Sequence, residues 1–162
     1  MSTLAIKKYG DPILKRKAEG VKEITAELKE LILNMIETVK KEKGVGLAAT
    51  QVGISKRIII VDAEKAPMAF INPEILDKSK EQETEEEGCL SLPGLFLKIK
   101  RAKEIEVRAK DIDGKDIEFK AEGLLARVFQ HEIDHLDGIL FIDRVGFWQK
   151  LKLKQKLKNF VN

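Results

Sequence analysis

The chain has 162 residues, 43% hydrophobic and 35% charged, with one Cys and a formal net charge of +3. That length suits a single domain burying about 70% of its unfolded surface, and a lone Cys excludes an internal disulfide framework and favours a reducing, cytoplasmic setting. Residues 1–10 hold no apolar leader and the longest apolar runs, 58–61 and 139–142, are four residues each, so secreted, membrane-spanning and disordered classes are not expected.

In chain order, Thr25 reads as a helix N-cap. Leu28, Leu31, Ile32, Met35, Ile36 and Val39 follow it at the spacing of an amphipathic helix, which Gly44 would end in a left-handed conformation. A small-residue segment runs from Gly44 to Gly53. Residues 57–61 read as a buried strand and 68–71 as a second, stopped by Pro73. Five glutamates within 81–87 predict a solvated loop. Ile105, Val107 and Ala109 alternate with charge, as do Ile117, Phe119 and Ala121, and Asp113-Gly114 between them signals a hairpin turn. Residues 123–136 predict another helix, closed by Gly138. The strands and helices do not alternate regularly, which points to an α+β fold in one domain, 1–162, without repeats or an internal boundary.

The charge is unevenly spread. From Arg144 onward there are six basic residues and no acid, leaving 24 basic and 27 acidic residues before it, a net of −3. Phe147, Trp148, Leu151, Leu153, Leu157 and Phe160 offer one face of a C-terminal helix in this basic tail, 144–162. The expectation is a solvated helix that docks in part.

The two histidines carry the chemistry. Both lie in His131-Glu132-Ile133-Asp134-His135, and residues four apart on a helix project from one face, the HExxH arrangement of a metal site. Leu124 and Val128 fall on the ligand side of that helix. Leu125, Phe129, Leu136 and Leu140 gather on the adjacent side, toward the core. Glu132 lies between, where a partly desolvated carboxylate suits general acid–base work.

Two histidines leave a catalytic metal short of its usual third protein ligand. No Glu or His follows His135, which disfavours the downstream ligands of thermolysin-like and metzincin proteases, though Asp137 and Asp143 remain open. Upstream, Cys89 in Glu87-Gly88-Cys89-Leu90-Ser91 offers a thiolate. A lone Cys is ordinarily a small buried hydrophobe, and the missing ligand reverses that reading. Gly44-x-Gly46-x-x-Ala49 mimics a dinucleotide fingerprint but follows a helix rather than a strand, so nucleotide binding is not expected. Small residues there also let an extended peptide approach, and Gln51 either polarises a carbonyl or ties the loop.

Three segments together resemble the peptide deformylase family. Residues 44–53, Glu87-Gly88-Cys89-Leu90-Ser91 and Gln130-His131-Glu132-Ile133-Asp134-His135 match that family's motifs in its order, and Gly10-Asp11-Pro12 with Leu14 is similar to its usual start. The likeness spans essentially the whole chain. Arg127 stands where many members carry an apolar residue, and so does Glu85; both positions concern the rim of the side-chain pocket.

The resemblance implies antiparallel sheets around a central HExxH helix, an N-terminal amphipathic helix and a basic C-terminal helix. It implies removal of the N-formyl group from the formyl-methionine of newly synthesised polypeptides, with release of formate. Cys89, His131 and His135 would bind one divalent metal, Fe(II) by the family pattern, with Zn, Ni or Co in purified material. Glu132 would move the proton, and the Gln51 amide and the Leu90 N–H would stabilise the oxyanion. Val45, Leu124 and Val128 would accept the methionine side chain, while the Gly46 and Gly88 backbones pair with the peptide. The expected partners are nascent formylated chains and, through the basic tail, the ribosome, with no membrane. The competing readings are a small zinc endopeptidase of the HExxH type and a catalytically dead ribosome-associated module.

Overall fold

The computed structural model describes residues 2–161. Helix α1, Ala26–Glu42, begins where expected: Thr25 Oγ1 accepts the Leu28 N–H at 3.1 Å, and the helix buries Leu28, Ile32, Met35 and Val39. Its end differs from the expectation by one residue. Lys43, at φ 54°, adopts the left-handed conformation, and Gly44 serves a different need. A Cβ there would meet Leu90 Cδ1 at 3.1 Å, so the glycine permits a close approach.

A five-stranded antiparallel sheet follows, built from β1 (Gly46–Ala48), β2 (Ile58–Val61), β3 (Met68–Lys78), β6 (Glu104–Lys110) and β7 (Asp116–Glu122) in that spatial order. Every residue of β2 is buried because the strand is covered on both faces. Ile58 and Ile60 pack with α1, while Ile59 and Val61 pack with helix α2, Gly123–Leu136. The β6–β7 hairpin turns at Gly114 with φ +84°, as the Asp-Gly signal requires.

Strand β3 runs through Pro73 instead of stopping before it. Asn72 takes φ 52° and its side-chain amide exchanges two 2.8 Å hydrogen bonds with the Val21 backbone. The register of β3 on β6 shifts between Ile71 and Glu74, so Pro73 falls in a bulge where no ladder N–H is needed.

The glutamate-rich stretch is also a correction. It forms β4 (Gln82–Cys89), paired antiparallel with β5 (Leu92–Ala102) in a separate two-stranded sheet. The partner strand is basic: Lys98, Lys100 and Arg101 stand opposite Glu86, Thr84 and Glu83 in register, and Arg101 forms an ion pair with Glu87. A run that reads as loop by composition is a strand because its complement lies ten or more residues downstream.

Leu92, Leu95, Leu97 and Ile99 of β5 form a third core with Leu140, Phe141 and Ile142. Helix α3, Phe147–Lys158, joins that core through Leu153, with Leu157 and Phe160 partly buried beside it. The apolar face expected of the tail is divided. Phe147 and Trp148 are 69% and 75% exposed, and Leu151 is exposed too. At about 100° per residue, Leu153 and Leu157 share one side of the helix and these three residues point to the other. Among the described residues, no helix is long and apolar enough to cross a membrane.

Candidate metal centre and its cleft

Helix α2 spans the expected 123–136 and ends at Asp137, with Gly138 left-handed after it. Its middle is buried between the two sheets, and it delivers His131 and His135 to one face. Strand β4 brings Cys89 to the same point. The three ligand atoms lie within 4.8 Å of one another, with Cys89 Sγ 3.3 Å from His135 Nε2. Asp137 instead pairs with Arg57 at 2.9 Å, and Asp143 caps the Leu140 N–H, so neither supplies a ligand.

Hydrogen bonds orient the donors. His131 Nδ1 donates to Glu87 Oε1 at 2.8 Å, which leaves Nε2 as the ring nitrogen open to the cluster. Burial alone would raise the Glu87 carboxyl, but His131 and Arg101 outweigh it and hold it at about 2. Burial likewise pushes the Cys89 thiol up, and the neighbouring His135 and His131 overcome it, keeping the thiol well below its ordinary value. Against its own burial, His131 is raised to about 10 by its hydrogen bonds to Cys89 and Glu87. Anions that keep a proton on His131 also favour a metal cation in its place.

Glu132 is 4% exposed, and among the described residues its Oε2 has no partner, nor has the buried His135 Nδ1. Burial raises the Glu132 carboxyl, although both histidines oppose it. A thiolate and two imidazoles form a donor set that fits a divalent transition metal, with the uncommitted Glu132 carboxylate beside it.

A cleft of about 440 Å³ opens onto this cluster. It is lined by Val45, Gly46, Gln51, Gly88, Cys89, Leu90, Leu124, Val128, His131 and Glu132, with His135 fully buried beneath. Thus the residues singled out in the sequence converge. Gly46 must be glycine, because a Cβ there would lie 2.7 Å from Glu132 Oε1 and 2.9 Å from Val128 Cγ1. Gln51 ties the loop, the structural of the two readings made of it. Its Oε1 accepts the Ala48 N–H at 3.0 Å, and its Nε2 donates to Ser91 Oγ at 3.1 Å and toward Cys89 Sγ at 3.5 Å.

Sequence reasoning missed the ion network behind the cluster. Arg101 joins Glu87 to Asp134, and Arg144 grips Asp134 through Nε at 3.0 Å and Nη2 at 2.7 Å. Arg127, 6% exposed, donates to Glu87 Oε2 at 2.6 Å. Glu87 and Asp134 sit inside quoted motifs, but only the pairing of β4 with β5 shows that Arg101 reaches both.

A family model for polypeptide deformylase matches residues 3–151. The chain belongs to the peptide deformylase family. Peptide deformylase from Dictyoglomus thermophilum is 54% identical over 151 residues, covering 93% of this chain and 97% of that protein. The crystal structure of peptide deformylase from Thermotoga maritima superposes with a TM-score of 0.88 at 47% identity, over 90% of this chain and 99% of that one. The enzyme from Synechococcus elongatus, in complex with actinonin, gives 0.91 at 41% identity, over 97% and 88%. The α+β fold, with its antiparallel sheets and three helices, is the deformylase fold. The family is metal-dependent, and Cys89, His131 and His135 are the metal-capable group of this member. Membership disfavours the endopeptidase alternative.

Proposed function

We propose that the cleft over Cys89, His131 and His135 is the active site. As a peptide deformylase, the chain removes the N-formyl group from nascent polypeptides by metal-dependent hydrolysis, yielding formate and a free amino terminus. The observation that carries the site is Glu132, a buried carboxylate with an unpartnered oxygen beside a thiolate and two imidazoles in one cleft.

Cys89, His131 and His135 would hold the ion. When bound, it supplies Lewis acidity and a water nucleophile of lowered pKa. Glu132 takes the proton from the attacking water and returns it to the departing amine nitrogen, a task suited to a carboxyl raised by burial. The Gln51 amide, its oxygen committed to Ala48 and one N–H to Ser91, turns its second N–H from the long contact with Cys89 Sγ to the oxyanion formed at the formyl carbon, together with the Leu90 N–H. Val45, Leu124 and Val128 supply apolar surface for the methionine side chain. Among the described residues β1 pairs only with β2, and β4 only with β5, so Gly46 and Gly88 offer backbone to an extended peptide.

In this reading the HExxH helix is the central element of a single domain, 1–162, working in the cytoplasm with ferrous iron. Full activity from a rigorously iron-free zinc form would count against iron. The basic tail, 144–162, contacts ribosomal RNA, and five solvent-facing lysines of α3 support that role. Deleting 148–162 should weaken ribosome binding steeply with salt; unchanged binding leaves the tail a structural part only.

The deciding experiment is formate release from a formyl-Met tripeptide by anaerobically purified protein, beside Glu132→Ala. Release that the variant loses supports the reading. No release, with internal cleavage of an unformylated peptide, makes the protein a protease.

A further inference from the structure

Glu87 is the meeting point of three cationic or polar donors, and their arrangement gives one of them a task not yet assigned. His131 Nδ1 and Arg101 Nη2 use Oε1, while Arg101 Nε and Arg127 Nη1 use Oε2. The geometry points to Arg127 as a positioning residue, which holds the Glu87 carboxylate so that it orients His131 toward the metal. This rests on the reading of Cys89, His131 and His135 as a metal centre.

The terminal torsion of a Glu side chain is broad, so a carboxylate that aims a ligand must itself be fixed. Arg101 binds both oxygens but is shared, with its Nη1 on Asp134 at 2.6 Å. Arg127 is fixed independently. Its Nη1 also donates to the Ile99 carbonyl at 2.8 Å and its Nη2 to the Glu83 carbonyl at 2.8 Å, one from each strand of the β4–β5 hairpin. Arg127 and His131 are four apart on α2, so both reach the same carboxylate from one helix face.

Burying a guanidinium is costly, and an apolar side chain could join helix to hairpin without that cost. What an apolar side chain cannot do is fix Oε2. The metal ligand and its clamp therefore share one rigid element, and the acceptor lies between them on β4.

The test uses the full chain loaded with Co(II), as wild type, Arg127→Met and Arg127→Lys, with Arg127→Met repeated in a Glu87→Gln background. The readouts are the rate of cobalt extraction by a chelator, the visible Co(II) absorption, and kcat and KM on a formyl-Met tripeptide. Arg127→Met should lose cobalt about tenfold faster with an altered spectrum and a lowered kcat, and Arg127→Lys should fall between. In the Glu87→Gln background that factor should shrink toward one, because the carboxylate being positioned is gone.

A folded Arg127→Met that releases cobalt at the wild-type rate overturns the proposal, as does an equal factor in both backgrounds. So does a raised KM with unaltered extraction, which would make Arg127 pocket wall alone. If Arg127→Met does not fold, wild-type extraction from Arg127→Lys is the overturning result. A wild type that retains no cobalt overturns the metal-centre reading itself, and this proposal with it.

Discussion

Helices α2 and α3 are similar in length, 14 and 12 residues, and both are rich in charged or polar side chains. They are put to opposite uses. Helix α2 buries 11 of its residues, among them Arg127, His131, Glu132, Asp134 and His135. Helix α3 buries Leu153 alone and turns its lysines to solvent. Charge in α2 is removed from water, and at His131, Glu132 and Asp134 burial and close charged neighbours shift the affinity for protons. Charge in α3 stays hydrated, and each lysine is individually replaceable. Only their sum, a basic stripe, has consequences at a distance.

The sharpest way to break this contrast is at the cluster. Cys89→Ala should abolish stoichiometric metal binding and with it measurable formate release, read by metal analysis beside the deformylation assay; retained metal would remove Cys89 from the ligand set. Next, Glu132→Gln should lower kcat by about 10²–10⁴-fold while leaving metal content intact.

Gly46→Ala probes packing rather than chemistry. The added Cβ would press on Glu132 and Val128, and the displacement should cost about 10²-fold in kcat/KM with little change in melting temperature. At the other helix the pattern should invert. Leu153→Ala should cost about 2–3 kcal/mol in denaturant unfolding with kcat on a tripeptide unchanged, since it empties a core site remote from the cleft. The smallest effect belongs to Lys154→Ala, which should move stability by no more than about 0.5 kcal/mol.

The parts legible in the sequence share one property: their signal is local. Thr25 and the apolar stripe behind it announced α1, Asp113-Gly114 announced the β6–β7 turn, and 123–136 announced α2. Spacing alone put His131 and His135 on one face, and the motif around Cys89 pointed to the residue that completes the metal-capable group. Where the reading failed, the deciding partner was distant. Pro73 should have stopped a strand, but the Asn72 side chain, bonded to Val21, makes a bulge that accommodates it. Residues 81–87 carry no strand signal until Lys98, Lys100 and Arg101 stand opposite. Lys43, not Gly44, took the left-handed turn, while Gly44 lies against Leu90, a contact distant in the chain that local spacing does not reveal.

The sequence by itself determined the family, the reaction class and the metal-capable group Cys89, His131 and His135, because these depend on residue types at short spacings and on three motifs in order. Only the tertiary structure decided how the site is held. The chain from Arg127 through Glu87, Arg101 and Asp134 to Arg144 joins β4, β5, α2 and the segment after it, and no spacing along the sequence reveals it. Buried charges can be kept only where counter-charges arrive at hydrogen-bonding distance, and that arrival depends on strand register and helix packing, which exist only once the chain has folded.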